Sequence, residues 1–147
     1  MIDITPTLRP AVEADLDDII SILASHDLPT DDLAGKASSL FVLESYGDII
    51  GTGGVEVYGD AGLLRSVAVQ EFFRDLGLGG LICSEIFQMM KDRGVKELFL
   101  LTTTAPEFFE GLGFQRIERD TAPADIKATT EFSTLCPESA VCMRLEL

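Results

Sequence analysis

Leu64-Arg65-Ser66-Val67-Ala68-Val69, followed by Phe73-Arg74-Asp75-Leu76-Gly77-Leu78-Gly79-Gly80, reads as a strand that runs into a glycine turn and out into a helix. A helix N-terminus presents unsatisfied N–H groups and partial positive charge. Glycines let the backbone approach a pyrophosphate closely. Arg74 can add a charge-assisted hydrogen bond or brace the loop. Two spaced glycines are a weak signal alone, because glycine turns precede many helices. No Lys-Ser/Thr pair follows them, so this is not a Walker loop. It is also a poor dinucleotide fingerprint, which needs three spaced glycines and an acidic residue beyond the next strand.

Upstream, residues 8–10 read as a short strand. Leu16, Ile19, Ile20 and Leu23 then recur as the apolar stripe of an amphipathic helix. Residues 28–33 read as a break, a Thr30 cap and one helical turn. Leu40 to Ser45, Ile49 to Tyr58 and Leu63 to Val69 read as an antiparallel meander. Gly51, Gly53 and Gly54 mark bulges or close backbone approach in its middle strand.

Downstream, the spacing predicts a helix from about Gly80 to Arg93, ended by Gly94. Lys96 to Thr103 is a continuous apolar run, as in a central strand buried on both faces. A strand, crossover helix and strand pair in parallel with right-handed connection. A short helix at Ala105–Gly111, a strand from Gly113 to about Arg119, a long loop and a closing strand at Ser139–Glu146 complete the chain. The expected fold is α/β: a mixed sheet in which an antiparallel meander is followed by a parallel β-α-β core, flanked by helices. The 147 residues fit one domain.

The chain carries 25 acidic against 11 basic residues, a net charge of −14. That charge repels nucleic acid and anionic lipid at long range. A solvated surface, a high-salt habitat and attraction of a cationic substrate all fit it. No segment is long and apolar enough to span a membrane, and no secretory signal is visible, so the expected location is the cytoplasm. Cys83, Cys136 and Cys142 are widely spaced and His26 is the single histidine. Free thiols are expected, a four-ligand zinc site is not, and His26 reads as solvent-exposed or capping.

Taken together, Leu64–Val69, Phe73–Gly79 and Phe108-Phe109-Glu110-Gly111-Leu112-Gly113-Phe114 resemble the GNAT acetyltransferase superfamily, in the expected element order from about Leu8 to Leu145. The segments 58–66, 100–105 and 127–140 are similar to a subgroup associated with arsenic resistance and related to N-acetylglutamate synthase domains. The resemblance implies an N-acetyltransferase that moves acetyl from acetyl-CoA directly to a primary amine, with no metal. The acceptor it implies is an amino acid or amino-acid-like compound. Acetylation of a protein lysine or N-terminus, and a module that binds acetyl-CoA without turnover, are the rival readings. A homodimer is also what the resemblance implies.

In such proteins the strand before the loop splays from its parallel neighbour and pairs with the pantetheine arm. The resemblance places that role on Val67, Ala68 and Val69, with the Val67 N–H as an oxyanion contact. It places the pyrophosphate on Arg74, Asp75, Leu76, Gly77, Leu78, Gly79 and Gly80, and Phe109 beside the cofactor. The family often has a tyrosine at the Phe109 position to protonate the leaving thiolate. Phenylalanine cannot, although a thiol pKa near ~8.5 lets a thiolate leave unaided. Glu56 is the candidate base; its other reading is a solvent-facing strand residue. Arg65 and Lys127 are candidates to hold an acceptor carboxylate; the other reading of Arg65 is a structural ion pair. Thr102 and Thr103 are candidate polar contacts at a strand end.

Overall fold

The computed structural model describes residues 4–147. Seven strands form one sheet in the order β1-β2-β3-β4-β5-β7-β6. They are β1 (Thr7–Pro10), β2 (Leu40–Ser45), β3 (Asp48–Tyr58), β4 (Ala61–Val69), β5 (Glu97–Thr102), β6 (Gln115–Ile117) and β7 (Val141–Glu146). The helices are α1 (Leu16–Ser25), α2 (Leu78–Asp92), α3 (Pro106–Gly111) and α4 (Ala124–Lys127). β4 and β5 are the parallel pair, and α2 is the crossover between them. The expected mixed sheet is therefore present.

The chain up to Gly54 together with Ser66–Ile86 makes one compact unit, and Val55–Arg65 with Phe87–Leu147 makes a second. In the first unit, β1 and β2 pair antiparallel and β2 pairs antiparallel with β3. Tyr46 and Gly47 both adopt left-handed backbone (φ 49° and 86°), as a tight β2–β3 hairpin requires. The register then slips, because Leu43 faces Gly51 while Glu44 faces Ile49. Ile50 is the extra residue of a bulge.

Cross-strand partners show what the β3 glycines do. Gly51 and Gly53 lie opposite Leu43 and Phe41, so they share one sheet face. A Cβ on Gly53 would sit 2.7 Å from Ile82 and 2.8 Å from Ile86, and one on Gly51 3.0 Å from Ile82. Side chains are absent there so that α2 can lie directly on the sheet. Leu40 and Val42 point to the other face, where Ile19, Leu23 and Leu33 join them in a buried cluster with Ala68.

α1 begins beside a carboxylate clamp. The Asp15 side chain accepts from the Val12 N–H at 2.8 Å and from both terminal nitrogens of Arg9 at 2.8 and 3.1 Å. The Arg9 guanidinium, then the Val12 N–H, hold the Asp15 carboxyl below its usual range. Residues 30–33 form an irregular turn rather than a helical one.

In the second unit, β5 pairs antiparallel with β7, and β7 with β6. β5 is buried from Leu98 to Thr102, as its apolar run predicts. The stretch read as a long loop contains a single turn at Arg119–Thr121, α4, and a π-helical turn at Glu131–Leu135. Arg119 ties it together. Its guanidinium donates to the carbonyls of Pro137 at 2.8 Å, Cys136 at 3.4 Å and Phe132, and sits 5.5 Å from the Phe132 ring centre. Buried Phe132 and Ile126 join Phe99, Leu101 and Cys142 in this unit's core.

Candidate active site

The first site element is the end of β4. Its ladder with β5 pairs Ala61–Leu63 with Glu97–Phe99, while β4 itself continues to Val69. Ser66 takes a left-handed conformation (φ 60°) inside the strand, and its carbonyl accepts from the Thr52 hydroxyl at 2.7 Å. A left-handed residue within a strand bends it. Beyond the bend, the Gln70 N–H donates to the Ile50 carbonyl at 2.8 Å and the Gln70 side-chain amide to the Ile49 carbonyl at 2.6 Å. Val67 and Val69 are half-buried and Ala68 is buried.

The loop follows directly. One turn at Glu71–Phe73 leads to Arg74, and Asp75 and Gly77 are both left-handed (φ 64° and 75°). Turns of this kind gather successive N–H groups into a concavity that suits an anion. Arg74, Asp75, Leu76 and Gly77 are exposed, and α2 starts at Leu78, two residues before the position its sequence suggested. Leu78 is buried, while Gly79 and Gly80 are half-buried. The Leu81 N–H donates to the Gly77 carbonyl at 3.1 Å, so the N–H groups of the first helical turn before it have no intrahelical acceptor. A Cβ at Gly77 or Gly80 would meet nothing within 4 Å. The loop end is thus open at Gly77 and Gly80, beside the positive end of the α2 dipole.

The second unit holds a buried charge cluster. Arg65 Nη1 lies 2.8 Å from Glu56 Oε2 and Arg65 Nε 3.3 Å from Glu131 Oε2. The three side chains are 2%, 9% and 6% exposed. The Tyr58 hydroxyl donates to Glu56 Oε1 at 2.7 Å. Burial, then the neighbouring Glu56, push the Tyr58 hydroxyl up to about 12. Burial and the Glu131 charge likewise push the Cys136 thiol up to about 12. Glu56 is therefore no solvent-facing residue: it is a buried carboxylate held by a guanidinium and a phenol. Arg65 is braced by two carboxylates. Sequence spacing gave no hint of Glu131, which reaches Arg65 from 66 positions away.

The other predicted residues are placed separately. Thr102 is buried and its hydroxyl accepts from the Ala105 N–H at 3.1 Å, capping the turn before α3. Thr103 is exposed. Lys127 is exposed and its ammonium donates to the Asp120 carbonyl at 3.2 Å. Phe109 is buried, with ring centres 5.0 Å from Phe108 and 5.8 Å from Phe114. His26 is half-buried and is the C-cap residue of α1, as the capping reading expects, and its Nε2 lies 2.8 Å from the Val69 carbonyl. Among the described residues no group of three or more His, Cys, Asp or Glu is placed to hold a metal ion. No helix of the described residues is long and apolar enough to cross a membrane.

The chain is similar to known proteins. The acetyltransferase (GNAT) domain family matches residues 36–116, which include the β4 end, the glycine loop and α3. An uncharacterized N-acetyltransferase of Chlorobaculum tepidum is 32% identical over 103 residues, 69% of this chain and 64% of that protein. An amino-acid acetyltransferase of Mycobacterium tuberculosis is 33% identical over 82 residues, 55% of this chain and 47% of that protein. The chain thus spans less than two thirds of the length of these curated relatives, 64% of one and 47% of the other. Among solved structures, N-acetylglutamate synthase from Neisseria gonorrhoeae, complexed with coenzyme A and N-acetylglutamate, superposes with a TM-score of 0.85 at 21% identity. It covers 99% of this chain and 36% of its own. With more than half of its length matched by that family, the chain belongs to the GNAT acetyltransferases.

Proposed function

We propose that the protein is an N-acetyltransferase that moves the acetyl group of acetyl-CoA to the primary amine of an amino acid or amino-acid-like compound. The observation that carries this reading is the bent end of β4 running directly into an open, left-handed loop at a helix N-terminus. The Arg74 N–H donates to the Glu71 carbonyl at 3.1 Å, so it is the N–H groups from Asp75 to Gly80, with the Arg74 side chain, that suit a pyrophosphate. The β4 edge at Val67 to Val69 suits the amides of a pantetheine arm, and the Val67 N–H suits a thioester oxygen as negative charge develops on it. Family membership supports the same assignment, and the resemblance to an amino-acid acetyltransferase supports the acceptor class.

In this reading the acceptor nitrogen attacks the thioester carbonyl, the C–S bond breaks, and the proton lost by nitrogen passes to a carboxylate directly or through water. Glu56 is our candidate. Its Oε1 accepts from the Tyr58 hydroxyl and its Oε2 from the Arg65 guanidinium, which hold the carboxylate in place. Phe109 offers no proton, so the thiolate leaves without a dedicated acid or takes a proton from water.

The test is calorimetric titration of acetyl-CoA into the protein, followed by thiol release with a panel of amino acids, amines and peptides. Binding with amine-dependent release supports the enzyme, and the panel names the acceptor. Release only with a peptide would replace the small-molecule acceptor by a protein one. Binding without release would leave an acetyl-CoA-binding module. Gly77→Asp places a carboxylate, in a strained backbone, against the pyrophosphate position. We expect it to abolish acetyl-CoA binding, and unchanged affinity would overturn the loop assignment.

A further inference from the structure

The chain's single histidine is tied to the cofactor side of the fold rather than to solvent. His26 Nε2 lies 2.8 Å from the carbonyl oxygen of Val69, 43 residues away. A carbonyl only accepts, so Nε2 carries the proton in this contact. The ring is held in place by the end of α1. The His26 N–H donates to Leu23 O at 3.0 Å, Asp27 adopts left-handed backbone (φ 57°), and the Leu28 N–H returns to Leu23 O at 3.0 Å. Such a left-handed cap closes a helix and fixes where its last side chain points.

What His26 holds is the peptide group between Val69 and Gln70. A trans peptide points its C=O and its N–H in opposite directions. The N–H of this peptide, on Gln70, donates to Ile50 of β3 at 2.8 Å. Its C=O, on Val69, therefore points away from β3, and His26 meets it there. One peptide plane is gripped from both sides, by β3 and by α1. It is also the last plane of β4 before the loop that carries Asp75 and Gly77. Along a strand, residues i and i+2 turn their polar groups to the same edge. Val67 therefore shares with Val69 the edge that faces away from β3.

We infer that His26 is a positioning residue for acetyl-CoA, fixing the Val69–Gln70 peptide so that the β4 edge and the phosphate loop keep their bound geometry before the cofactor arrives. The inference rests on the acetyl-CoA reading above. It adds a side chain that the glycine motif does not contain. A preorganised edge costs less to bind than one that must order on contact. Loss of one hydrogen bond of this kind changes an equilibrium by roughly two- to twelvefold.

Three proteins and three readouts test it. His26→Ala removes the donor. His26→Gln restores an N–H at nearly the Nε2 position. Acetyl-CoA affinity is measured well below the unfolding temperature, so that folded protein is compared with folded protein. We expect His26→Ala to weaken acetyl-CoA binding about three- to tenfold and His26→Gln to return it to within about twofold. In the wild type, the one imidazole gives one set of ring 15N signals. They should show the Nε2–H tautomer in the free protein and shift on titration with acetyl-CoA. A lowered melting temperature with unchanged affinity in His26→Ala would make the tie merely structural and overturn the inference. So would imidazole signals that ignore acetyl-CoA at saturation, or a Gln variant as weak as the Ala variant. Failure of the wild type to bind acetyl-CoA would overturn the acetyl-CoA reading itself, a result none of those outcomes resembles.

Discussion

Gly53 and Gly80 show how one residue type serves opposite ends at single positions. A methyl group on Gly53 meets Ile82 and Ile86 at 2.7 and 2.8 Å, and both belong to the helix that packs there. Neither side chain is exposed, so relief requires moving α2. Gly53→Ala should destabilise the protein by about 1–3 kcal/mol, as overpacking does. Gly80→Ala meets nothing within 4 Å and sits in the first turn of α2. It should stabilise by up to about 1 kcal/mol, from reduced unfolded-state entropy and better helix propensity. Urea midpoints of the two variants should therefore move in opposite directions. A stable Gly53→Ala would mean that the sheet and helix are looser than the contacts imply. The glycine turn was legible from sequence because its chemistry is local: spacing, residue type and helix onset lie within ten positions. The Arg65–Glu131 pair and the His26–Val69 tie were not. Each joins residues more than 40 positions apart, with no periodicity or motif linking them. The sequence shows Glu56 as a carboxylate late on a strand, but its burial against Arg65 and Tyr58 is a property of the fold alone.

Elements were legible in proportion to their regularity. β2 was read with the boundaries it has, and β3 to within one residue, because turn residues bracket both. α1 follows its apolar stripe. The last third of the chain was the poorest reading. β6 is three residues long and the loop after it folds into turns of three to five residues, too short to show a period. Their order comes instead from one guanidinium on three carbonyls. The start of α1 depends in the same way on a single side chain. Asp15 accepts one backbone and two guanidinium hydrogen bonds and is 10% exposed. Asp15→Ala leaves the Val12 N–H and Arg9 without that acceptor, and should cost about 1.5–3 kcal/mol. The Asp15 carboxyl sits below its ordinary value when folded, so its stabilisation is present above the unfolded pKa and lost as pH falls through the folded one. The wild type should therefore lose stability in acid more steeply than Asp15→Ala. Parallel urea midpoints for the two proteins below about pH 4 would show that Asp15 is not a linked group.

The whole molecule carries the reverse dependence at alkaline pH. Burial pushes the Cys83 and Cys136 thiols up to about 12 and Cys142 up to about 11, while burial and Glu56 push the Tyr58 hydroxyl up to about 12. In the unfolded chain thiols ionise near ~8.5 and a phenol near ~10. Between those values and the folded ones, the unfolded state releases protons that the native state retains. Stability contributed by these groups is thus fully present below about pH 8.5 and falls as pH rises toward the folded values. The limiting slope is about 1.4 kcal/mol per pH unit for each group that titrates only when unfolded. The unfolding free energy from urea titrations should be flat between about pH 7 and 8, then fall with a slope that steepens as the phenol joins the thiols. Cys83 supplies the clean control, because its side chain is fully buried and desolvation is the one cause of its shift. Cys83→Ala loses packing and so starts from a lower free energy, but its alkaline slope should be shallower by one proton's worth. The slope isolates the titration from the cavity, which shifts the whole curve without tilting it. An unaltered slope in Cys83→Ala would mean that this thiol ionises as readily folded as unfolded, and hence that water reaches the sheet-facing side of α2.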